Sequence, residues 1–457
     1  MKLFFGILSD KMKKLIIMAK RLRQTALISG DIILAILALI LTVRIGFFYD
    51  FSLEILKQHI LPFLILYIFW FGIFYIFGLY ELNLIRPNLE FLVRIGECFL
   101  VCLTVGMIFF YLIPLFNITP KTNLLLDGLL LGGLLLFWRR IFYLLFSSRL
   151  LQKVGFLGKN TLALRLSEEF QKNPQLGYKF IKFLDTEKNI ASQIKKNGIE
   201  TLIIAKSFNR NLKLTKFLYE CLPLRVNLLD LGKAYEMLLY KIPVDFVNKV
   251  WILENLREGE KKVYDKLKRI GDVIFGGLII LITSPLWLIF AVLIKAEDKG
   301  PVFYRQKRVG KSKKEFWLLK FRTMEVDAEK KSGPIFAKKN DKRITKTGRF
   351  LRRTHLDEVP QMINVVKGDI SLVGPRPERP EFVKSLEKKI PHYHLRHIIK
   401  PGFTGWAQTK KYHYARTKKE LHEKFEYDLY YIKNRGLFLD IGIFLKSFQL
   451  FFEDEQK

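Results

Sequence analysis

Two adjacent carboxylates, Asp357 and Glu358, stand in the run Thr354-His-Leu-Asp-Glu-Val-Pro360-Gln361, within a stretch that repeats basic side chains among turns: Arg305, Arg308, Lys320, Arg322, Arg343, Arg349, Arg352, Arg353, Arg376 and Arg379. Carboxylates paired in this way can divide the labour of a phosphoryl transfer, one attacking phosphorus and the other holding Mg²⁺ through hard oxygen ligation. Arginine forks match phosphate oxygens, so a diphosphate is the natural substrate chemistry. Proline is tolerated in the first turn of a helix, so the apolar-periodic segment through Met362, Ile363 and Val366 is predicted to begin just before Pro360. Asp357 and Glu358 then sit at a helix N-terminus, where amides and the dipole favour phosphate or carboxylate. Taken alone, an acidic pair at a helix start is more often a cap. A basic surface lying on anionic lipid likewise needs no active site.

Three histidines, His392, His394 and His397, share another short stretch. No carboxylate or thiol nearby completes a zinc set, so they are expected on a helix surface. The three cysteines show neither a disulfide framework nor zinc spacing. Cys98 and Cys102 lie four apart in an apolar run and are expected as small packing residues on one helix face, while Cys221 stands alone.

The chain that must position these groups has 457 residues, too many for one ordinary core. It is 50% hydrophobic with 40 Phe, and its formal net charge of +33 comes from 76 Lys plus Arg against 43 Asp plus Glu. Such charge implies an anionic partner, whether nucleic acid, acidic headgroups or phosphorylated substrates. Four apolar segments, at 26–48, 61–80, 91–116 and 123–146, each approach the roughly 20 residues that cross a bilayer. The first is long and lacks a small-x-small cleavage site, so it reads as a retained span. Lys2, Lys11, Lys13, Lys14, Lys20, Arg21 and Arg23 precede it, Arg139, Arg140, Arg149 and Lys153 accompany the end of the fourth, and Arg86 and Arg94 flank the second loop. The opposite loops offer only Lys57 and Lys121. The basic arm 1–25 and everything after residue 149 are therefore expected in the cytoplasm, with Arg44 snorkelling to the headgroups.

Over 149–250, strand-like runs (Lys153–Leu157, Tyr178–Leu184, Thr201–Ala205) alternate with helical ones (Leu162–Phe170, Asn189–Lys196), which predicts a small parallel α/β domain. Its first turn, Gly155-Phe-Leu-Gly158-Lys-Asn160, lacks the third glycine of a dinucleotide fingerprint, so a structural or regulatory role is expected. The apolar run Val273–Ile294 is long enough to span. However, Thr283-Ser284-Pro285 interrupts it, and basic clusters flank it on both sides: Lys261, Lys262, Lys266, Lys268 and Arg269 before, Lys295, Lys299, Arg305, Lys307 and Arg308 after. A re-entrant helix over 273–294 keeps both clusters on one side.

The succession Gly300-Pro-Val-Phe-Tyr304-Arg305-Gln306, Lys320-Phe-Arg322-Thr-Met324, Asp341-Lys-Arg343-Ile-Thr345, Leu356-Asp357-Glu358-Val-Pro360-Gln361, Gly368-Asp369-Ile-Ser-Leu-Val-Gly374-Pro375-Arg376-Pro377 and Lys400-Pro401-Gly402-Phe-Thr404-Gly405-Trp406-Ala-Gln408 closely resembles the bacterial sugar transferase family of polyprenyl-phosphate phosphoglycosyl transferases. The match covers 262–457 in unbroken motif order. Four helices and a Rossmann-like, CoA-binding-like α/β domain before it look like the large members that start exopolysaccharide, capsule or O-antigen units. In that comparison Lys268, Arg269 and Asp272 match the entry to the re-entrant helix, and Ser284-Pro285 its break.

The resemblance implies a membrane protein with three parts: four transmembrane helices over 26–148, the Rossmann-like domain over 149–250, and an α/β catalytic domain over 262–457 with a re-entrant helix. It implies ping-pong transfer of a sugar-1-phosphate from a UDP-sugar to undecaprenyl phosphate at the bacterial inner membrane, on the cytoplasmic face. Asp357 would be the nucleophile and Glu358 the Mg²⁺ ligand. Arg352, Arg353, Arg376, Lys320 and Arg322 would hold phosphate or nucleotide, with Asp369 and Asp428 as further acidic positions. Many relatives carry Ser where this chain has His355. Inner-membrane lipids are expected partners, nucleic acid is not, and a homodimer is the suggested assembly. Two rivals remain at this level. One is a nucleotide-sugar-modifying oxidoreductase, opposed by the incomplete glycine turn and the lack of a Tyr-x-x-x-Lys pair over 150–250. The other is a non-enzymatic scaffold on anionic lipid, opposed by the fixed acidic pair.

Overall fold

Long runs of Leu, Ile and Phe make the N-terminal segments helical, because straight-chain apolar residues lose little rotamer freedom in a helix. The computed structural model describes residues 2–448 except 83–84, 86–87, 113–120, 147–150, 186–188, 206–221, 225, 327, 329–340, 342 and 411–416, with side chains from residue 21 onward except at 90 and 121. Arg86, Arg149, Cys221 and the side chains of Lys2 to Lys20 and Lys121 lie outside the described residues. The chain forms two units, Met1–Leu239 and Tyr240–Lys457.

In the first unit α1 (Lys2–Gly46), α2 (Leu53–Ile76), α3 (Leu89–Leu112) and α4 (Lys121–Leu144) correspond to the four expected apolar segments. The basic arm is not separate from the first span, since α1 runs through it. By length and apolarity Arg21–Gly46, Leu53–Ile76, Phe91–Leu112 and, in the second unit, Lys249–Asp298 are able to cross a membrane. Two sets of polar side chains inside the helices are paired across them. Arg139 of α4 grips Asp31 of α1 through two bonds of 2.6 and 2.7 Å, and the Tyr67 hydroxyl donates to Asp127 at 2.8 Å. An unpaired charge there would cost several kcal/mol, so these contacts set the register of α1, α2 and α4. Cys98 and Cys102 are buried on one face of α3, as expected of packing residues.

The remainder of this unit is an α/β layer: β1 (Gln152–Leu157), α5 (Thr161–Lys172), β2 (Tyr178–Leu184), α6 (Ile190–Asn197), β3 (Thr201–Ile204), β4 (Asn227–Asp230) and α7 (Leu231–Leu239). All strand pairs are parallel, in the order β2-β1-β3-β4. Asn160 and Asn189 cap α5 and α6 through bonds to Ala163 N (2.7 Å) and Ser192 N (2.9 Å). Strand β4, of four residues, is not among the expected strand-like runs.

The second unit contains α8 (Lys249–Asn255), α9 (Lys262–Asp298), the antiparallel hairpin β5 (Phe303–Val309) and β6 (Glu315–Phe321), then α10 (Lys346–Arg353), α11 (Gln361–Lys367), β7 (Ser371–Val373), α12 (Pro380–Lys389), β8 (Gly402–Thr404), α13 (Lys418–Asn434) and α14 (Leu437–Ser447). β7 pairs in parallel with β8. Leu318, Met362, Val365, Ile370, Leu372, Trp406 and Tyr431 are among the residues that form its core. The segment before the motif block belongs to this unit: Ile242, Val244 and Val247 pack with Phe425 and Leu429, and Tyr240 O accepts from Trp406 Nε1 at 2.9 Å.

Helix α9 is bound to this unit along both halves. In the first half Lys268 reaches Asp440 at 2.5 Å, and Arg269 donates to the carbonyls of Val365 (2.7 Å) and Val366 (2.5 Å), neutralising the C-terminal end of α11. Asp272 accepts from Ser371 Oγ and Leu372 N, both at 3.0 Å. In the second half Phe290 and Ile294 pack with Phe321 and Leu351, Glu297 accepts from Thr347 N in the first turn of α10 at 3.0 Å, and Asp298 pairs with Arg322. The helix continues through Pro285. Proline has no N–H for the Leu281 carbonyl, and the Ser284 hydroxyl donates to that carbonyl instead, at 2.9 Å.

Candidate active site

The site begins where α10 ends. His355 adopts a left-handed conformation (φ 51°), which reverses the chain into a single 3₁₀ turn, Leu356–Glu358. Leu356 packs against the cluster of Phe290, Phe321 and Leu351, and Asp357 and Glu358 turn inward and are buried. Helix α11 starts only at Gln361, so the pair lies in the turn before it rather than in its first turn. Two amides of its first turn are in use: Met362 N donates to Val359 O at 3.0 Å and Ile363 N to Pro360 O at 3.1 Å. Cationic side chains supply further grip on an anion.

Two of them converge on Glu358. Lys320, near the end of β6, donates Nζ to Glu358 Oε1 at 2.5 Å. Arg376, presented just after β7, donates Nη1 to Oε2 at 3.1 Å and Nη2 to Oε1. Arg376 Nη1 also reaches Phe403 O at 3.4 Å. Gly374 permits this placement, because a Cβ there would lie 2.8 Å from Lys400 O and 2.9 Å from Gly402 N. The result is a buried carboxylate pair with a lysine and an arginine on one member, an arrangement that can receive phosphate when those cations exchange partners.

The other expected site residues are elsewhere. Arg352 donates Nε to Thr323 Oγ1 at 2.8 Å, beside the end of β6, while Arg353 is exposed. Arg322 is buried against Asp298 and secures the end of α9. Asp369 accepts from Asn364 Nδ2 at 3.0 Å, and Asn364 in turn bridges to β6 through Leu319 N (3.0 Å) and Trp317 O (2.8 Å). Asp369 thus orients the staple between α11 and β6. Asp428 is buried against Arg396 at 2.8 Å, behind Arg376. Lys268, Arg269 and Asp272 anchor α9 as described, and at Ser284-Pro285 the helix runs on without a break.

Of the histidines, His394 is exposed, but His397 is buried, contrary to the expectation of a surface position. Burial, reinforced by the neighbouring Arg396, holds its imidazole down at about 4, so it is neutral near pH 7. No cluster of three or more His, Cys, Asp or Glu that could hold a metal occurs among the described residues. The residue that sequence reasoning missed is Arg396, placed between His394 and His397. Its only sequence signal is a lone arginine in an otherwise half-apolar segment, which does not distinguish a buried role.

Residues 263–454 match the model of the family described as bacterial sugar transferase. A UDP-N-acetylgalactosamine-undecaprenyl-phosphate N-acetylgalactosaminephosphotransferase of Aeromonas hydrophila is 38% identical over 232 residues, 51% of this chain and 54% of its own length. The UDP-glucose:undecaprenyl-phosphate glucose-1-phosphate transferase of Klebsiella pneumoniae is 32% identical over 331 residues, 69% of this chain and 70% of its own length. A protein of the same description from Escherichia coli is 30% identical over 321 residues, 67% of this chain and 68% of its own. The chain therefore spans about half the length of the first of these relatives and somewhat over two thirds of the other two. This chain belongs to the bacterial sugar transferase family.

Proposed function

We propose that this chain transfers a sugar-1-phosphate from a UDP-sugar to undecaprenyl phosphate, giving undecaprenyl-diphosphate-sugar and UMP, the initiating step of an exopolysaccharide, capsule or O-antigen unit. The observation that carries this reading is the convergence of Lys320 and Arg376 on Glu358, next to the buried Asp357. Relatives named for this reaction with UDP-glucose and with UDP-N-acetylgalactosamine agree with it.

In the first half-reaction a carboxylate oxygen of Asp357 attacks the β-phosphorus. The bond from that phosphorus to the bridging oxygen breaks, and UMP leaves with the electron pair. In the second, an oxygen of undecaprenyl phosphate attacks the same phosphorus and the aspartyl–phosphorus bond breaks, which restores the carboxylate. Lys320 and Arg376 neutralise the diphosphate that an anionic nucleophile must approach. Mg²⁺ asks for one or two protein carboxylates, with water and substrate phosphate completing its shell, and the Asp357–Glu358 pair suits that donor set. Bound through Glu358, it would supply charge neutralisation on the diphosphate oxygens. Purified chain incubated with undecaprenyl phosphate and a panel of UDP-sugars including UDP-glucose and UDP-N-acetylgalactosamine should release UMP with at least one sugar. Release of UDP instead would mean transfer of the sugar without its phosphate, and would sink the proposal.

Helix α9 is read as re-entrant, seating the second unit on the cytoplasmic leaflet of the inner membrane. Both of its ends are bound to that unit, and Ile280 and Trp287 pack against its cores. The interval between those two residues is about 10 Å of helix, against about 30 Å of hydrocarbon to be crossed. Leu281, Ile282, Leu288 and Ile289 are exposed and available to lipid. Single cysteines at Lys262 and Lys299 in a Cys-free background should both resist an impermeant thiol reagent applied to intact cells. Labelling of either from outside would exclude re-entry. The parallel β2-β1-β3-β4 order supports a Rossmann-like reading of the smaller α/β layer, without a role in the chemistry.

A further inference from the structure

Behind Arg376 lies a buried ionic cluster that the chemistry above leaves unused. Arg376 stands between Pro375 and Pro377, neither of which has an N–H, so amide donors cannot pin the chain at those two positions. The carbonyls are held instead, four in succession. Pro375 O accepts from Gly402 N, Arg376 O from Arg396 Nη2, Pro377 O from Arg308 Nη1, and Glu378 O from Val309 N, each at 3.0 Å. Two of these four donors are guanidiniums, and their charges are balanced within the cluster. Arg396 donates Nε to Asp428 at 2.8 Å and Nη1 to the Tyr393 hydroxyl at 2.5 Å. Glu378 accepts from Lys424 at 2.7 Å and lies 4.0 Å from both Arg308 and Arg396.

We propose that Arg396 and Arg308 are positioning residues for Arg376, clamping the two carbonyls that follow its Cα so that its guanidinium is fixed beside Asp357 and Glu358, with Asp428 and Glu378 as the counter-ions that keep both clamps aimed. The inference rests on the reading of Arg376 as a ligand of substrate phosphate. A guanidinium with three directed bonds fixes a backbone in a way that a lysine, a flexible point charge, cannot reproduce. The anionic side of the cluster persists in use: burial pushes the Glu378 carboxyl up, but Lys424, Arg396 and Arg308 outweigh it and hold it at about 2. Misplacement of a catalytic-site group by about 1 Å costs on the order of 10²-fold, so a rigid mount for Arg376 has a kinetic consequence.

The test is a double-variant cycle on the full chain: Arg396→Lys, Arg376→Ala and both together. UMP release with the UDP-sugar that turns over fastest gives kcat and KM, and thermal unfolding is followed in parallel. Arg396→Lys should lower kcat/KM about 10- to 100-fold in the native background and by less than about twofold once Arg376 is alanine. Its effect on Tm should be similar in both backgrounds. An equal kinetic loss in both, or a lowered Tm with unchanged kcat/KM, would show a merely structural cluster and overturn the proposal. Unchanged kinetics for Arg376→Ala alone would overturn the phosphate reading of Arg376 and the clamp with it. Should Arg396→Lys fail to fold, Arg308→Lys enters the same cycle with the same expected non-additivity.

Discussion

Asp357→Asn is expected to abolish turnover, lowering UMP release by 10³-fold or more, roughly 4 kcal/mol in barrier. The substitution keeps the size of a buried side chain in the 3₁₀ turn and removes only the attacking anion. Asparagine can still hydrogen-bond, so Lys320 and Arg376 remain on Glu358 and the protein should fold with a near-native Tm. Both half-reactions pass through the same carboxylate. UMP release with UDP-sugar alone and exchange of labelled UMP back into UDP-sugar should therefore vanish together. Near-normal turnover of a folded variant would exclude Asp357 as the nucleophile.

Glu358→Gln is expected to cost about 10²-fold or more, roughly 3 kcal/mol, by a different route. It removes the anion on which Lys320 and Arg376 converge, so the two cations lose their mutual support and the carboxylate proposed to carry Mg²⁺ is gone. The nucleophile is untouched, so an enzyme-bound phosphosugar should still form, slowly. The Mg²⁺ concentration for half-maximal rate should rise as well. A variant with unaltered Mg²⁺ dependence would assign the metal elsewhere.

Much of the architecture is legible in sequence because it repeats at short range. The apolar segments became α1 to α4, and Tyr178–Leu184 became β2 with the bounds that alternation predicts. The acidic pair and the two cations on it were also readable, since Asp357, Glu358, Lys320 and Arg376 stand in motifs. What sequence could not supply is direction. Arg322 looks like any other arginine of the basic stretch, yet it turns to Asp298, 24 residues earlier. Asp369 and Asp428 stand at positions suggestive of a site and are committed to Asn364 and Arg396. Their partners lie on other elements, and only tertiary packing decides between solvent, substrate and a buried ion pair. The same limit hid residues 240–247, whose apolar side chains find their core on α13.

The most direct test of the account is to locate the covalent intermediate. Purified chain mixed with its UDP-sugar in the absence of undecaprenyl phosphate, quenched rapidly, digested and analysed by mass spectrometry should carry one hexose-phosphate or N-acetylhexosamine-phosphate adduct on the peptide containing Asp357, and the adduct should disappear when undecaprenyl phosphate is added before the quench. An adduct on any other residue, or UMP released only when both substrates are present and with none bound to the protein, would contradict it.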